Sequence, residues 1–297
     1  MSAPSSQFRA AIVIWLFVAS HLNAQETDST GSAAEAPKAA AQADDLFPYA
    51  GGLVIVGGGG TPNDVRQAFV ELAGGAEGRL VVIPTASGYA EKPDAEQYYL
   101  EDWQPVGFKS LRMMHAADRE TAASEPFLAA LREATAVWFS GGDQAVLAER
   151  FLDTPVEAEL QKLLERGGAI GGTSAGAAIQ TRVMIAGGRE EPEMARGFDL
   201  LPRGIADQHF LARERQPRLR IAVRQNPGCV GWGIDERTAL IVRREGLAVL
   251  GESSVTRMYI DPVSGELLEE ALAMGATMDW QTAVPAGLDV KNEAAGG

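Results

Sequence analysis

Short, continuous apolar runs closed by glycine or other small residues constrain this chain more than any other feature. Leu53–Val56 runs into Gly57–Gly60, and Leu80–Ile83 into Pro84-Thr85-Ala86-Ser87. Ala134–Phe139 ends in Ser140-Gly141-Gly142-Asp143-Gln144, and the very short Gly168–Gly171 leads into Gly172-Thr173-Ser174-Ala175-Gly176. Such runs read as strands buried on both faces, because an exposed face would impose polar alternation. Ser110–Met114 adds another strand. Helical patterns lie between them. Thr61 as N-cap and Pro62 at the first helical position announce a helix with Val65, Phe69 and Leu72 on one face. Further helices are expected at Ala95–Trp103 (polar and aromatic-bearing), Phe127–Leu131, Ala145–Leu152 and Val156–Glu165. Alternating strands and helices predict an α/β fold: a three-layer sandwich with a mostly parallel central sheet. Past Gly228 the pattern changes to shorter strands at Leu240–Val242, Leu247–Leu250 and Met258–Ile260.

The N-terminus reads differently. Arg9 precedes an apolar run from Ala10 to Ser20, 11 residues long, where a bilayer core needs about 20. With small residues near Ala24, this is the pattern of a secretory signal peptide over residues 1–24. Residues 25–46 follow as a polar, Ala-rich linker with too little apolar surface to offset its ordering entropy. The expected catalytic domain is 47–290, and 291–297 a flexible tail. The expectation is a secreted or periplasmic protein with no membrane span once the leader is removed. Among 297 residues, 26 Lys and Arg face 40 Asp and Glu, a formal charge of −14 that repels phosphate backbones and excludes nucleic acid as a partner. Loss of Arg9 with the leader takes that charge from −14 to −15.

In open parallel sheets, sites form at the carboxyl ends of strands. The sharpest signal there is Gly172-x-Ser174-x-Gly176, a nucleophile-elbow pattern. A tight strand-to-helix turn exposes the serine hydroxyl, and the N–H of Ala175 at the helix start favours a developing oxyanion. Serine needs a general base. Of the 3 histidines, His21 falls in the leader, and His115 reads as an ordinary strand-end residue. His209, in Ile205-Ala206-Asp207-Gln208-His209-Phe210, is the better base. The orienting acid has rivals: Glu236 in Ile234-Asp235-Glu236, and Glu190, Glu191 and Glu193 between the serine and the histidine. The N–H of Gly142 or Asp143 could complete the oxyanion hole, and Asp143 could equally cap the next helix. Arg213, Arg215 and Arg218 surround Pro217, where a helix is expected to start. Cations there oppose the macrodipole by a few tenths to about 1 kcal/mol, so another interaction must offset them. Gly57–Gly60 lacks a Walker lysine and the G-x-G-x-x-G spacing, which argues against a nucleotide. No Cys/His cluster has metal spacing, and neither metal nor organic cofactor is expected. The lone cysteine, Cys229, precludes an intrachain disulfide.

In order, VGGGGTP, VIPTAS, FSGGDQ, GGTSAGA, DQHF followed by R-x-R-x-x-R, and GIDERTAL resemble the cyanophycinase branch of the S51 serine peptidases. The resemblance covers about Gly51 to Ile260. It implies a class I glutamine amidotransferase-like (flavodoxin-like) fold, with Ser174 as nucleophile and His209 as base. It maps the triad acid onto Glu236, with Glu191 held in reserve. It also implies that Gln144, Asp207, Gln208, Arg213, Arg215 and Arg218 line the substrate pocket. The implied partner is a polymer, cyanophycin: a poly-aspartate backbone with arginine on each β-carboxyl, released as β-Asp-Arg. The arginine cluster would hold substrate carboxylates and Asp207 a substrate guanidinium. One departure is Arg237, where this branch has asparagine. Two rival readings are a related peptidase acting on short aspartyl or isoaspartyl peptides, and a non-catalytic binding module with an amidotransferase-like fold. A homodimer is compatible with the chain.

Overall fold

Alternate side chains of each apolar run enter two different cores. Leu53, Ile55, Val81, Ile83, Val137, Phe139 and Ile170 belong to one cluster. Val54, Val56, Leu80, Val82, Ala136 and Trp138 belong to the other. That period of two is the strand geometry itself, with both faces covered. The structure, a computed structural model, describes residues 46–288. The expected leader, the linker apart from Leu46, and the tail lie outside the described residues.

Strands β1 (Gly52–Val56), β2 (Arg79–Ile83), β3 (Ser110–Met113), β4 (Ala136–Phe139) and β5 (Ala169–Thr173) pair in parallel in the order β3-β2-β4-β5-β1. The helix at 63–72 packs Val65 and Phe69 on one face of this sheet. Helices at 125–133, 144–151 and 155–165 cover the other with Phe127, Leu131, Leu147, Phe151 and Leu160. This is the expected α/β architecture, a large, mostly parallel sheet between helical layers. The N-cap of the first helix is Pro62, not Thr61, and no side chain caps it. Its Asp64 instead accepts from the Gly251 N–H at 3.0 Å.

The second half of the chain holds what periodicity did not resolve. Strands β6 (Val183–Gly187) and β7 (Glu193–Arg196) form a hairpin. Strands β8 (Gly204–Asp207) and β9 (Val230–Ile234) pair in parallel. Strands β10 (Thr238–Arg243) and β11 (Gly246–Gly251) extend the central sheet antiparallel from β1. Strands β12 (Ser254–Ile260) and β13 (Leu267–Ala273) join β9 and β8 in a second, four-stranded sheet. The short β14 (Thr277–Met278) makes the central sheet eight-stranded. The helix at 216–225 packs Leu219, Ala222 and Val223 with Ile205 and Met258 of the second sheet. Among the described residues no helix is long and apolar enough to cross a membrane.

Candidate active site

Sheet order brings the three glycine-bearing strand ends together. β5 lies between β1 and β4, so the turn after β5 is flanked by Gly57–Gly60 on one side and Ser140–Gly142 on the other. Ser174 occupies that turn with φ 54° and ψ −111°. A left-handed serine costs about 1–3 kcal/mol, which only a surrounding structure that over-determines it can hold. The Ser174 N–H donates to the Val56 carbonyl at 3.0 Å, and a short helix starts at Ala175.

His209 follows β8 and reaches the same point. Its N–H donates to the Gly57 carbonyl at 2.6 Å. Its Nε2 lies 2.9 Å from Ser174 Oγ and its Nδ1 2.6 Å from Glu236 Oε1. A carboxylate only accepts, so Nδ1 carries the proton and Nε2 accepts the serine hydroxyl's. Burial pushes the His209 pKa below its ordinary value. The Glu236 hydrogen bond opposes that effect, and the charges of Arg213 and Arg215 add to it. The imidazole is therefore neutral, and a base, at neutral pH. Among the described residues Glu236 is the carboxylate bonded to this imidazole. Glu191 lies on the exposed turn of the β6–β7 hairpin.

The tetraglycine after β1 is a site feature that motif reading used only to argue against nucleotides. The Gly58 carbonyl accepts from the Arg237 N–H at 2.7 Å, beside Gly57's bond to His209. Consecutive carbonyls thus hold the segments bearing His209 and Glu236. A Cβ on Gly58 would lie 2.2 Å from His209 Cε1 and 2.5 Å from Nε2, so the imidazole rests directly on backbone. Asp235 was also missed as a positioning residue. Its Oδ1 accepts from the N–H groups of Leu211 and Ala212 at 3.1 and 3.0 Å, and its Oδ2 from the Ser253 hydroxyl at 2.8 Å. Its signal was its place beside Glu236 in a buried strand end.

The two turn donors separate. The Asp143 N–H donates to the Ala86 carbonyl at 2.9 Å, and the Asp143 side chain caps the 144–151 helix through the Ala145 N–H. Asp143 is therefore a structural cap, and its N–H is not available to an oxyanion. Among the described residues the N–H groups of Gly142 and Ala175 donate to no backbone or side-chain acceptor. Gly142 adopts φ 145°, and a Cβ there would collide with the Ala86 carbonyl oxygen at 2.0 Å.

The expected pocket residues divide into a buried layer and an exposed wall. Asp207 is fully buried and receives the Arg218 guanidinium at 2.9 Å (Nε to Oδ2) and 2.5 Å (Nη2 to Oδ1). Arg218 also donates to the Gly188 carbonyl at 2.5 Å. Asp207 thus holds this protein's own guanidinium, where a substrate's was expected. Arg218, buried too, pins the β6–β7 turn instead of facing solvent. This pairing offsets the unfavourable cations at the helix start. Gln144 donates to the carbonyls of Ile185 and Ala186 at 3.0 and 2.7 Å, and Gln208 accepts from Arg215. Both glutamines are buried. Arg213 and Arg215 do reach open space: with Gly188, Arg189, Leu211 and Glu214 they line a cavity of about 640 Å³. Burial, then the adjacent Arg218 charge, pushes Arg215 down to about 10, still cationic at neutral pH. Arg237 is exposed and ion-paired with Glu252 at 2.5–2.6 Å, leaving Glu236 to His209. His115 sits elsewhere, 3.3 Å from Thr85 Oγ1.

A parallel sheet whose carboxyl edge carries a strained serine hydrogen-bonded to a carboxylate-held imidazole is the architecture of a hydrolase. A family model described as Peptidase family S51 matches residues 53–250. The cyanophycinase of Synechococcus elongatus is 36% identical over 225 residues, 71% of this chain and 68% of the relative. That of Geminocystis herdmanii is 34% identical over 202 residues, 65% of this chain and 74% of the relative. A solved peptidase from an acI-B1 Actinobacterium superposes with a TM-score of 0.61 at 22% identity, over 77% of this chain and 97% of that one. This chain belongs to peptidase family S51, and it is a hydrolase of peptide bonds.

Proposed function

We propose that this peptidase degrades cyanophycin, cutting its aspartate backbone to release β-Asp-Arg dipeptides. The observation that carries the reading is the unbroken series Glu236–His209–Ser174, at 2.6 and 2.9 Å, in a chain 36% identical to cyanophycinases. Ser174 Oγ attacks the backbone carbonyl of an aspartyl residue bearing arginine. His209 Nε2 takes the hydroxyl proton and passes it to the leaving amine, while Glu236 stabilises the imidazolium. The N–H groups of Ala175 and Gly142 receive the oxyanion, and water then releases the acyl group. Arg213 and Arg215 supply cationic partners for substrate carboxylates at the cavity wall. The protein is exported by its N-terminal leader in this reading.

Clearing of a cyanophycin suspension, with parallel labelling by a fluorophosphonate probe, tests the proposal. Wild type clears the suspension and is labelled; Ser174→Ala does neither. Labelling without clearing would keep the serine chemistry, discard the polymer, and turn attention to short isoaspartyl peptides.

A further inference from the structure

Three tyrosines stand apart from the triad and its cavity. Tyr89 and Tyr98 are 36% and 54% exposed, among the few large apolar side chains facing solvent. With Tyr99 they form a cluster of tilted and edge-to-face rings: centroids lie 4.9 Å apart for Tyr89 and Tyr98, 5.0 Å for Tyr98 and Tyr99, and 6.4 Å for Tyr89 and Tyr99. Tyr99 is anchored against the core while its neighbours project. The Tyr89 hydroxyl donates to Asp94 at 2.6 Å, and its N–H to the Ser87 hydroxyl at 3.2 Å. Asp94 is exposed beside Tyr89, and the same exposed segment carries Glu91 and Glu96 against one cation, Lys92. Exposed aromatic rings on an acidic segment attract cations, and guanidinium best, because it stacks flat on a ring.

The place of this patch gives it a partner. It lies on the segment following β2, at the carboxyl edge of the sheet, where Ala86 holds the Gly142–Asp143 turn beside the serine. β2 is two strands from β5, so its end, where the tyrosine-bearing segment begins, is roughly 10 Å from the Ser174 turn at about 4.8 Å per strand. An extended substrate covers the distance to that strand end in about three residues at roughly 3.4 Å each, and Tyr89 follows it six residues along the chain.

We propose that Tyr89, Tyr98 and Tyr99 form an accessory binding site for guanidinium side chains of an extended, arginine-bearing substrate, apart from the bond being cut. The site rests on the substrate reading above. It grips the polymer before and between cuts, and it is irrelevant to any substrate too short to reach it.

The test separates the two proposals. Affinity for tetra-arginine amide is measured on Ser174→Ala protein, so no hydrolysis is involved, with tetralysine amide as the ammonium control. Tyr89→Leu with Tyr98→Leu weakens tetra-arginine binding by about 5- to 30-fold, two exposed cation–π contacts converted at 1.4 kcal/mol per tenfold. Tyr89→Phe with Tyr98→Phe, which keeps both rings, binds within about twofold of the parent. Tetralysine binds more weakly to the parent and loses less in the leucine variant. Equal binding by parent and leucine variants, or equal losses in the leucine and phenylalanine variants, overturns the site. On cyanophycin with Ser174 intact, the leucine pair raises KM and leaves kcat unchanged. Absence of any polymer hydrolysis by wild type would sink the substrate reading alone, since the peptide titration still decides the aromatic site.

Discussion

Gly58→Ala is the substitution that most sharply separates placement of the base from stability of the fold. The new Cβ would sit 2.2 Å from His209 Cε1, where ordinary contact begins near 3.4 Å, so the imidazole must retreat by roughly 1.2 Å. A 1 Å misplacement of a catalytic group costs on the order of 100-fold in rate, about 2.7 kcal/mol of transition-state stabilisation. The backbone adds its own penalty, because φ is 108° and alanine there costs about 1–3 kcal/mol of stability. Gly74→Ala supplies the control. It also has a left-handed φ, 95°, but no atom within 4 Å of the added Cβ. Both variants should lose comparable stability in urea titration. Only Gly58→Ala should lose about 100-fold in kcat and in the rate of fluorophosphonate labelling. A folded Gly58→Ala protein with kcat within threefold of wild type would refute the claim that the imidazole is seated on this glycine.

Other expectations follow from the same contacts. His209 is held below its ordinary pKa by burial, so the acid limb of kcat/KM lies below 6.5: activity is lost only as falling pH protonates the imidazole. Glu236→Gln removes the hydrogen bond that favours the protonated form, so that limb moves further down while kcat falls; an unmoved limb would remove Glu236 from the pair. Asp207→Asn leaves the Arg218 guanidinium buried without its carboxylate and should cost about 3–5 kcal/mol in urea unfolding, more than Asp207→Asn with Arg218→Met. Burial pushes the Cys229 thiol up to about 11, so native protein should resist alkylation by iodoacetamide and keep full activity in its presence.

The parallel half of the sheet was legible because β1, β2, β4 and β5 are buried on both faces and carry unbroken apolar runs. Strands β7 and β13 carry exposed, charge-bearing residues such as Glu193, Arg196 and Glu269, and periodicity passes over them. Ser174 and His209 stood out for different reasons: the elbow forces small neighbours, and the chain has few histidines. The arginines posed a charge problem at a helix start, and Asp207 solves it. What sequence could not tell was that both members of that pair are buried against each other. A motif singles out Asp207, Gln208 and Arg218, but only packing shows that they are buried, while Arg213 and Arg215 line the open cavity. Gly58 escaped notice because a glycine's contact with a ring two segments away leaves no local signature.

The most direct test of the account is quantitation of β-Asp-Arg released from purified cyanophycin by wild type and by Ser174→Ala, with the products resolved by mass. Wild type should release stoichiometric dipeptide and the alanine variant none. Dipeptide release by both proteins at comparable rates would contradict the assignment of Ser174 as nucleophile, and with it the chemistry built on this site.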